Sequence, residues 1–221
     1  MASSPPSKGS VVLLHGLGRT GLSMTLPALA LRRAGYQTLM PYYGLRRSMP
    51  EIIDHLAPRI ARFAAGQDGP LHLVTHSLGG LVARALITAD RPANLGRVVM
   101  LAPPNGGSEL ADLVTALGLE AAILGKVGPQ LRTRRSAEAE RLLGTVDFDL
   151  GIIAGDRPFE KLIAPRVMPG PHDGKVAVEA TRIPGMRDHI VLPVQHTSMI
   201  NDARVIAQVL SYLETGAFRR S

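Results

Sequence analysis

Short apolar runs alternate along this chain with longer stretches in which apolar positions recur every three or four residues. Val11-Val12-Leu13-Leu14 is continuous, half β-branched and ends at His15-Gly16, the pattern of a strand buried on both faces. After turn residues from Gly18 to Gly21, an apolar stretch to Ala34 stops at Gly35, which suits a helix C-terminus, and residues 36–43 read as the next strand. Ser48-Met49-Pro50-Glu51 has the form of a capping box and leads Ile52, Ile53, Leu56 and Ile60 along one helical face, with Pro58 expected to kink or split that helix. Further strands are predicted over 71–75, 97–102, 149–154 and 189–194, the first of them running into a helical pattern over 81–89. The last element starts at Asn201-Asp202, sets Val205, Ile206, Val209, Leu210 and Leu213 on one face, and stops before Gly216.

Strands alternating with helices imply right-handed crossovers, and so an α/β fold with a mostly parallel central sheet and helices on both faces. A chain of 221 residues has room for one such domain, read here as 11–221, preceded by a flexible N-terminal arm over 1–10. That arm is polar, carries Pro5 and Pro6, and lacks the apolar centre of a secretory signal. One segment, 105–146, breaks the alternation with an apolar helical pattern over 110–124 and a charged one over 137–143.

Composition narrows the chemistry. Hydrophobic residues make up 45% of the chain, which excludes a disordered protein, and no apolar run is long enough to span a membrane. The absence of cysteine excludes disulfides, thiolate nucleophiles and cysteine-bound zinc, and suits the cytoplasm. Lys and Arg exceed Asp and Glu by 25 to 18, a net charge of +7. Arg46-Arg47, Arg132 to Arg135 and Arg219-Arg220 are separate clusters, however, and aromatic residues for stacking on bases are only 4% of the chain. Solvated faces are expected in place of a nucleic-acid surface, with room for transient contact with a lipid surface.

The predicted strand 71–75 reaches a serine set among small residues: Thr75-His76-Ser77-Leu78-Gly79-Gly80. Where a strand reverses into a helix within a few residues, the apex is driven to positive φ, and its flanks must be small because strand and helix nearly touch. Thr75-His76-Ser77-Leu78-Gly79 resembles the nucleophile elbow of the α/β-hydrolase superfamily, usually written G-x-S-x-G, although Thr75 departs from the first glycine. The resemblance implies Ser77 as nucleophile, followed in chain order by an acid and a histidine.

A serine hydroxyl needs an imidazole to take its proton and a carboxylate to hold that imidazole in the right tautomer. His196, in Pro193-Val194-Gln195-His196 between the last strand and the last helix, stands where the superfamily places its base, whereas His189 opens the strand at its wrong end. Two acids compete. Asp173 lies in Asp173-Gly174-Lys175-Val176, similar to the D-G-x-V pattern of many lipases in this superfamily, and is favoured; Asp156, just after 151–155, is the alternative, and Glu179 a remote third. The Leu78 N–H at the helix start is one oxyanion donor, and His15-Gly16-Leu17-Gly18, which resembles the H-G-x-G oxyanion loop, points to the Leu17 N–H as the second. His15, His76, His55 and His72 are expected to be structural, with no metal site and no cofactor. Ala102 to Ser108 resembles the loop that lipases place beside the nucleophile, and its residues are equally met by a tight turn with Ser108 capping the next helix. No residue is assigned to the substrate.

The resemblance implies a lipase- or esterase-like serine hydrolase acting through an acyl-enzyme on a small-molecule ester or lipid. In this superfamily the position of 105–146 holds cap or lid insertions, and an ordinary pair of crossover helices stands beside that reading. The apolar pattern 110–124 favours lipid-like or medium-chain esters over charged ones. An acyltransferase, thioesterase or lipid deacylase would use the same three side chains, and a non-catalytic binding module could keep the same fold. The oligomeric state is not legible.

Overall fold

The computed structural model describes residues 8–44, 46–158, 168 and 170–220. Most of the expected N-terminal arm therefore lies outside the described residues, while Ser10, assigned to its end, is buried and opens the first strand.

Six strands form one parallel sheet: β1 (Ser10–Leu14), β2 (Gln37–Leu39), β3 (Leu71–His76), β4 (Leu95–Leu101), β5 (Leu150–Gly155) and β6 (Asp188–Leu192), in the order β2-β1-β3-β4-β5-β6. The period-2 alternation of side chains splits the apolar runs between two cores. Val12, Leu14, Leu73, Val98, Met100 and Ile152 face α2 (Met49–Ala65) and α3 (Leu78–Ala89), whereas Val11, Leu13, Val74, Val99, Leu101 and Ile153 face α1 (Thr25–Arg33) and the last helix, Ala203–Thr215. Burial on both faces is why these strands read as continuous apolar runs. Among the described residues no helix is long and apolar enough to cross a membrane.

Three elements differ from expectation. The strand expected over 36–43 contracts to Gln37–Leu39, because β2 is an edge strand paired only with β1 and the chain then leaves the sheet to bury Tyr43 against His15. Pro58 does not split α2: it sits on the exposed side, while Met49, Ile52, Ile53, Leu56 and Ile60 pack below it, and the capping box forms as the Ser48 N–H donates to Glu51 Oε2 at 2.6 Å. The pattern over 110–124 is two helices, α4 (Glu109–Ala116) and α5 (Glu120–Ile123), because Gly118 turns the chain at φ +71°. The rest of that segment supplies α6 (Gly128–Leu131) and α7 (Ala137–Leu143) before β5; α8 (Val178–Thr181) precedes β6, and Ala203–Thr215 is α9.

The chain runs from β1 outward to β2, then returns to β3 on the other side of β1. Adjacent strands whose connections depart in opposite directions leave a crevice at their C-terminal ends, the usual ligand position in open α/β sheets. Here those ends carry His15-Gly16 and Ser77.

Candidate active site

Ser77 occupies the apex between β3 and α3 at φ 53°, ψ −123°, outside the regions ordinarily open to a serine. Its N–H donates to the Leu101 carbonyl at 2.8 Å, which holds the apex against β4. The small-residue requirement is literal. A Cβ on Gly79 would run into the Leu14 carbonyl, and one on Gly16 would lie 2.8 Å from His76 Nδ1 and 3.2 Å from Ser77 Cβ. Gly80 is required by other neighbours, since a Cβ there would lie 2.8 Å from Pro103 Cβ and 3.2 Å from Met100 Sδ, while Thr75 Oγ1, at 3.5 Å, is in ordinary contact range.

His196 comes to Ser77 from the loop after β6, its Nε2 3.0 Å from Ser77 Oγ, while its Nδ1 stands 2.7 Å from Asp173 Oδ2. Since Nδ1 faces a carboxylate, it carries the proton, and Nε2 presents its lone pair to the hydroxyl. The second carboxylate oxygen, Asp173 Oδ1, accepts the N–H groups of Lys175 and Val176 at 3.0 and 2.9 Å. That turn, made by Gly174 at φ +100°, is the physical content of the Asp-Gly-x-Val spacing. Asp173 and His196 are both buried, so their contact is shielded from bulk water. Asp156 is not brought to His196; its nearest cation is Arg157, with Nε at 3.9 Å. Glu179 is exposed and paired with Arg182.

The remaining histidines have other duties. His15 Nδ1 bonds the Gly16 carbonyl at 2.9 Å and its ring stacks on Tyr43, whose hydroxyl donates to the His15 carbonyl; burial lowers the His15 pKa. His72 Nδ1 accepts the Arg97 N–H at 2.8 Å, and burial followed by repulsion from Arg97 pushes its pKa down to about 4. His189 contacts Thr181 Oγ1 at 2.9 Å.

His76 is more closely involved than the sequence suggests. Its Nε2 donates to the His196 carbonyl at 2.9 Å, while the His196 N–H donates to the Asp173 carbonyl at 3.0 Å, so the main chain of His196 is held at both ends. Burial first, then repulsion from His196, drives the His76 pKa well below the ordinary value, leaving a neutral ring beside the His196 imidazole. No spacing signal marks a bond between residues so far apart in the chain.

The Leu17 and Leu78 amides donate to no acceptor in the protein among the described residues. Leu17 lines a pocket of about 110 Å³ together with Ser77, His196, Leu110, Ala111, Leu124, Leu131 and Val176. A second cleft, of about 740 Å³, shares Gly16 and Arg19 with this pocket and reaches Leu78.

The loop after β4 completes the surroundings. Among the described residues Ala102 is the other non-glycine residue at positive φ, 45°, and turns the chain into Pro103. Ser108 does not cap α4 with its side chain; its hydroxyl donates to the Lys175 carbonyl at 2.9 Å, tying this loop to the Asp173 turn. Two arginines brace it from below. Arg135 donates to the carbonyls of Pro104 and Asn105 at 2.7 and 2.6 Å, and buried Arg84, its pKa lowered to about 10 by burial, reaches Asn105 Oδ1 at 3.4 Å and donates to the Gly144 carbonyl at 2.7 Å.

A sequence model described as the alpha/beta hydrolase family matches residues 11–209. The chain belongs to that family. Among solved structures, this α/β hydrolase is similar to the mature form of the lipase BlEst2 from Bacillus licheniformis, at 21% identity and a TM-score of 0.78, with 96% of this chain and 94% of that one covered. It is also similar to the metagenomic carboxyl esterase MGS0156, at 18% identity and a TM-score of 0.72 over 96% of this chain and 79% of that one. Phospholipase PlaB from Legionella pneumophila aligns at 16% identity and a TM-score of 0.74, over 97% of this chain and 60% of that one. At these identities the likeness is one of fold. No curated protein matches by sequence.

Proposed function

We propose that this α/β hydrolase is a serine esterase of the lipase/esterase type, cleaving carboxylic esters through an acyl-enzyme on Ser77. The observation that carries the reading is the continuous line from Ser77 Oγ to His196 Nε2 at 3.0 Å and from His196 Nδ1 to Asp173 Oδ2 at 2.7 Å, ending at a pocket that Ser77 itself lines.

In the first half-reaction Ser77 Oγ bonds to the ester carbonyl carbon while its proton passes to His196 Nε2. Asp173 steadies the imidazolium, and the Leu17 and Leu78 amides, with no other acceptor among the described residues, hold the developing oxyanion at about 3 kcal/mol per donor. The bond to the alcohol oxygen then breaks as His196 returns the proton to it. In the second half a water gives its proton to His196, adds to the acyl carbon, and the Ser77 oxygen leaves with that proton restored, releasing the carboxylic acid.

The segment 105–146 serves as a small cap: Leu110, Ala111, Leu124 and Leu131 form the apolar side of the pocket, which suits an acyl chain. A cavity of about 150 Å³ holds benzene, or about 25 Å³ per carbon. The pocket of about 110 Å³ then fits an acyl group of about four carbons, shorter than the medium chains that the leucine-rich pattern suggests by itself. Hydrolysis of 4-nitrophenyl butanoate by the wild type and by Ser77→Ala tests the reading. A loss of about a thousandfold or more is expected, and an unchanged rate refutes it.

A further inference from the structure

Resting on that esterase reading, we propose that the alcohol portion of the substrate is anionic, and that the cleft of about 740 Å³ beside the Ser77 pocket receives its phosphate or carboxylate group. Four arginines from three separate segments, Arg19, Arg46, Arg47 and Arg59, line this cleft, and among the described residues no aspartate or glutamate lines it or the adjoining pocket.

None of these four arginines forms an ion pair among the described residues, although arginines elsewhere find carboxylates: Arg97 and Arg187 share Asp149, and Arg220 meets Asp188. The cleft is also organised. Arg59 Nη1 stands 3.1 Å from His55 Nε2, so a neutral His55 orients the guanidinium, and His55 holds a proton less tightly than usual through partial burial and the nearby charges of Arg47 and Arg59. Like charges gathered in a concavity repel one another, and an anion relieves that repulsion; guanidinium groups match phosphate and carboxylate oxygens two at a time. The concave setting suits a single anionic group better than a flat membrane or a nucleic-acid backbone.

The partition between acyl and alcohol follows from the walls. The leucine-lined pocket takes the acyl chain, the carbonyl lies at Ser77, and Gly16 and Arg19 belong to both cavities, so the departing alcohol extends into the cationic cleft. The reaction is ordinary ester hydrolysis: water is consumed, and a short carboxylic acid and a phosphorylated or carboxylated alcohol are released.

The test compares two soluble esters that share an acyl group, 1-butanoylglycerol 3-phosphate and 1-butanoylglycerol, by butanoate release at low salt with the full chain. The phosphorylated ester is expected to have a kcat/KM roughly tenfold higher. Arg47→Gln and Arg59→Gln should each reduce that ratio roughly three- to tenfold, and added salt should reduce it in the wild type. Arg62→Gln removes the same charge from the same helix outside the cleft, and should leave the ratio unchanged. A ratio near one, or an equal fall in Arg62→Gln, overturns the subsite. A preference seen only with vesicle-bound ester overturns it in favour of a lipid surface. A matched gain for methyl hydrogen succinate over methyl butanoate overturns the assignment to the alcohol side. Turnover of neither glycerol ester, together with no labelling by a fluorophosphonate, defeats the esterase reading itself and the subsite with it.

Discussion

Replacing Leu124 by alanine should move the acyl-chain preference by a calculable amount. Leu124 is buried, with 4% of its surface exposed, and forms part of the wall of the Ser77 pocket. The substitution removes three carbons, which at about 25 Å³ each enlarges the pocket by about 75 Å³, room for about three more methylenes. Each methylene buried there contributes about 0.8 kcal/mol, or about fourfold in kcat/KM. In the wild type the rise should end near butanoate, because later carbons find no wall to cover them. In Leu124→Ala it should continue for about three more carbons, raising the heptanoate-to-butanoate ratio by about 60-fold. The assay is kcat/KM for 4-nitrophenyl esters from acetate to decanoate, each below its aggregation limit. Since truncating a buried leucine destabilises by about 2–5 kcal/mol, the variant must be assayed well below its melting temperature. A wild-type profile still climbing at octanoate, or a Leu124→Ala profile superimposed on it, would refute the pocket assignment.

Other substitutions probe the same geometry. Asp173→Asn should lower kcat about a thousandfold or more, because an amide facing Nδ1 can drive the proton to Nε2 and leave nothing to accept from Ser77; Asp156→Asn should change kcat less than about twofold. The reverse ranking in steady-state assays would make Asp156 the acid. Gly79→Ala should destabilise the fold by about 3 kcal/mol or more in urea denaturation, since its methyl meets the Leu14 carbonyl, a rigid backbone neighbour. Acid should weaken the fold between pH 6.5 and about 4. The His72 pKa is depressed to about 4, so the unfolded chain takes the proton first; this group has no effect above pH 6.5 and withdraws about 3 kcal/mol by pH 4, with His76 acting in the same direction. Urea midpoints that stay level from pH 7 to pH 4.5 would contradict that.

The legible parts of this molecule are those in which physical demand falls on neighbouring residues. The apolar run 11–14 announces a strand covered on both sides, and the elbow announces itself through Ser77 and its small flanks, since strand–helix contact leaves no space for larger ones. Asp173 stands out from Asp156 in the sequence through its resemblance to the D-G-x-V pattern, and in the structure that turn brings two amides to one carboxylate oxygen. Contacts assembled from distant segments leave no such trace. The bond from His76 to the His196 carbonyl joins residues 120 apart, and the arginines of the cleft come from the loop after β1, the turn before α2 and α2 itself, so Arg46-Arg47 reads in sequence as a solvated pair. Edge position explains the overlong expectation for β2, and one left-handed glycine, Gly118, divides a pattern whose apolar spacing is continuous.

Esterase chemistry at this site requires Ser77 to be a hydroxyl activated by His196. Treatment with a fluorophosphonate, followed by intact and peptide mass spectrometry, reads this without knowledge of the substrate. A single adduct on Ser77 is predicted for the wild type, strongly slowed labelling for His196→Ala, and none for Ser77→Ala. A wild type that stays unmodified, or an adduct that persists in Ser77→Ala, would contradict the account.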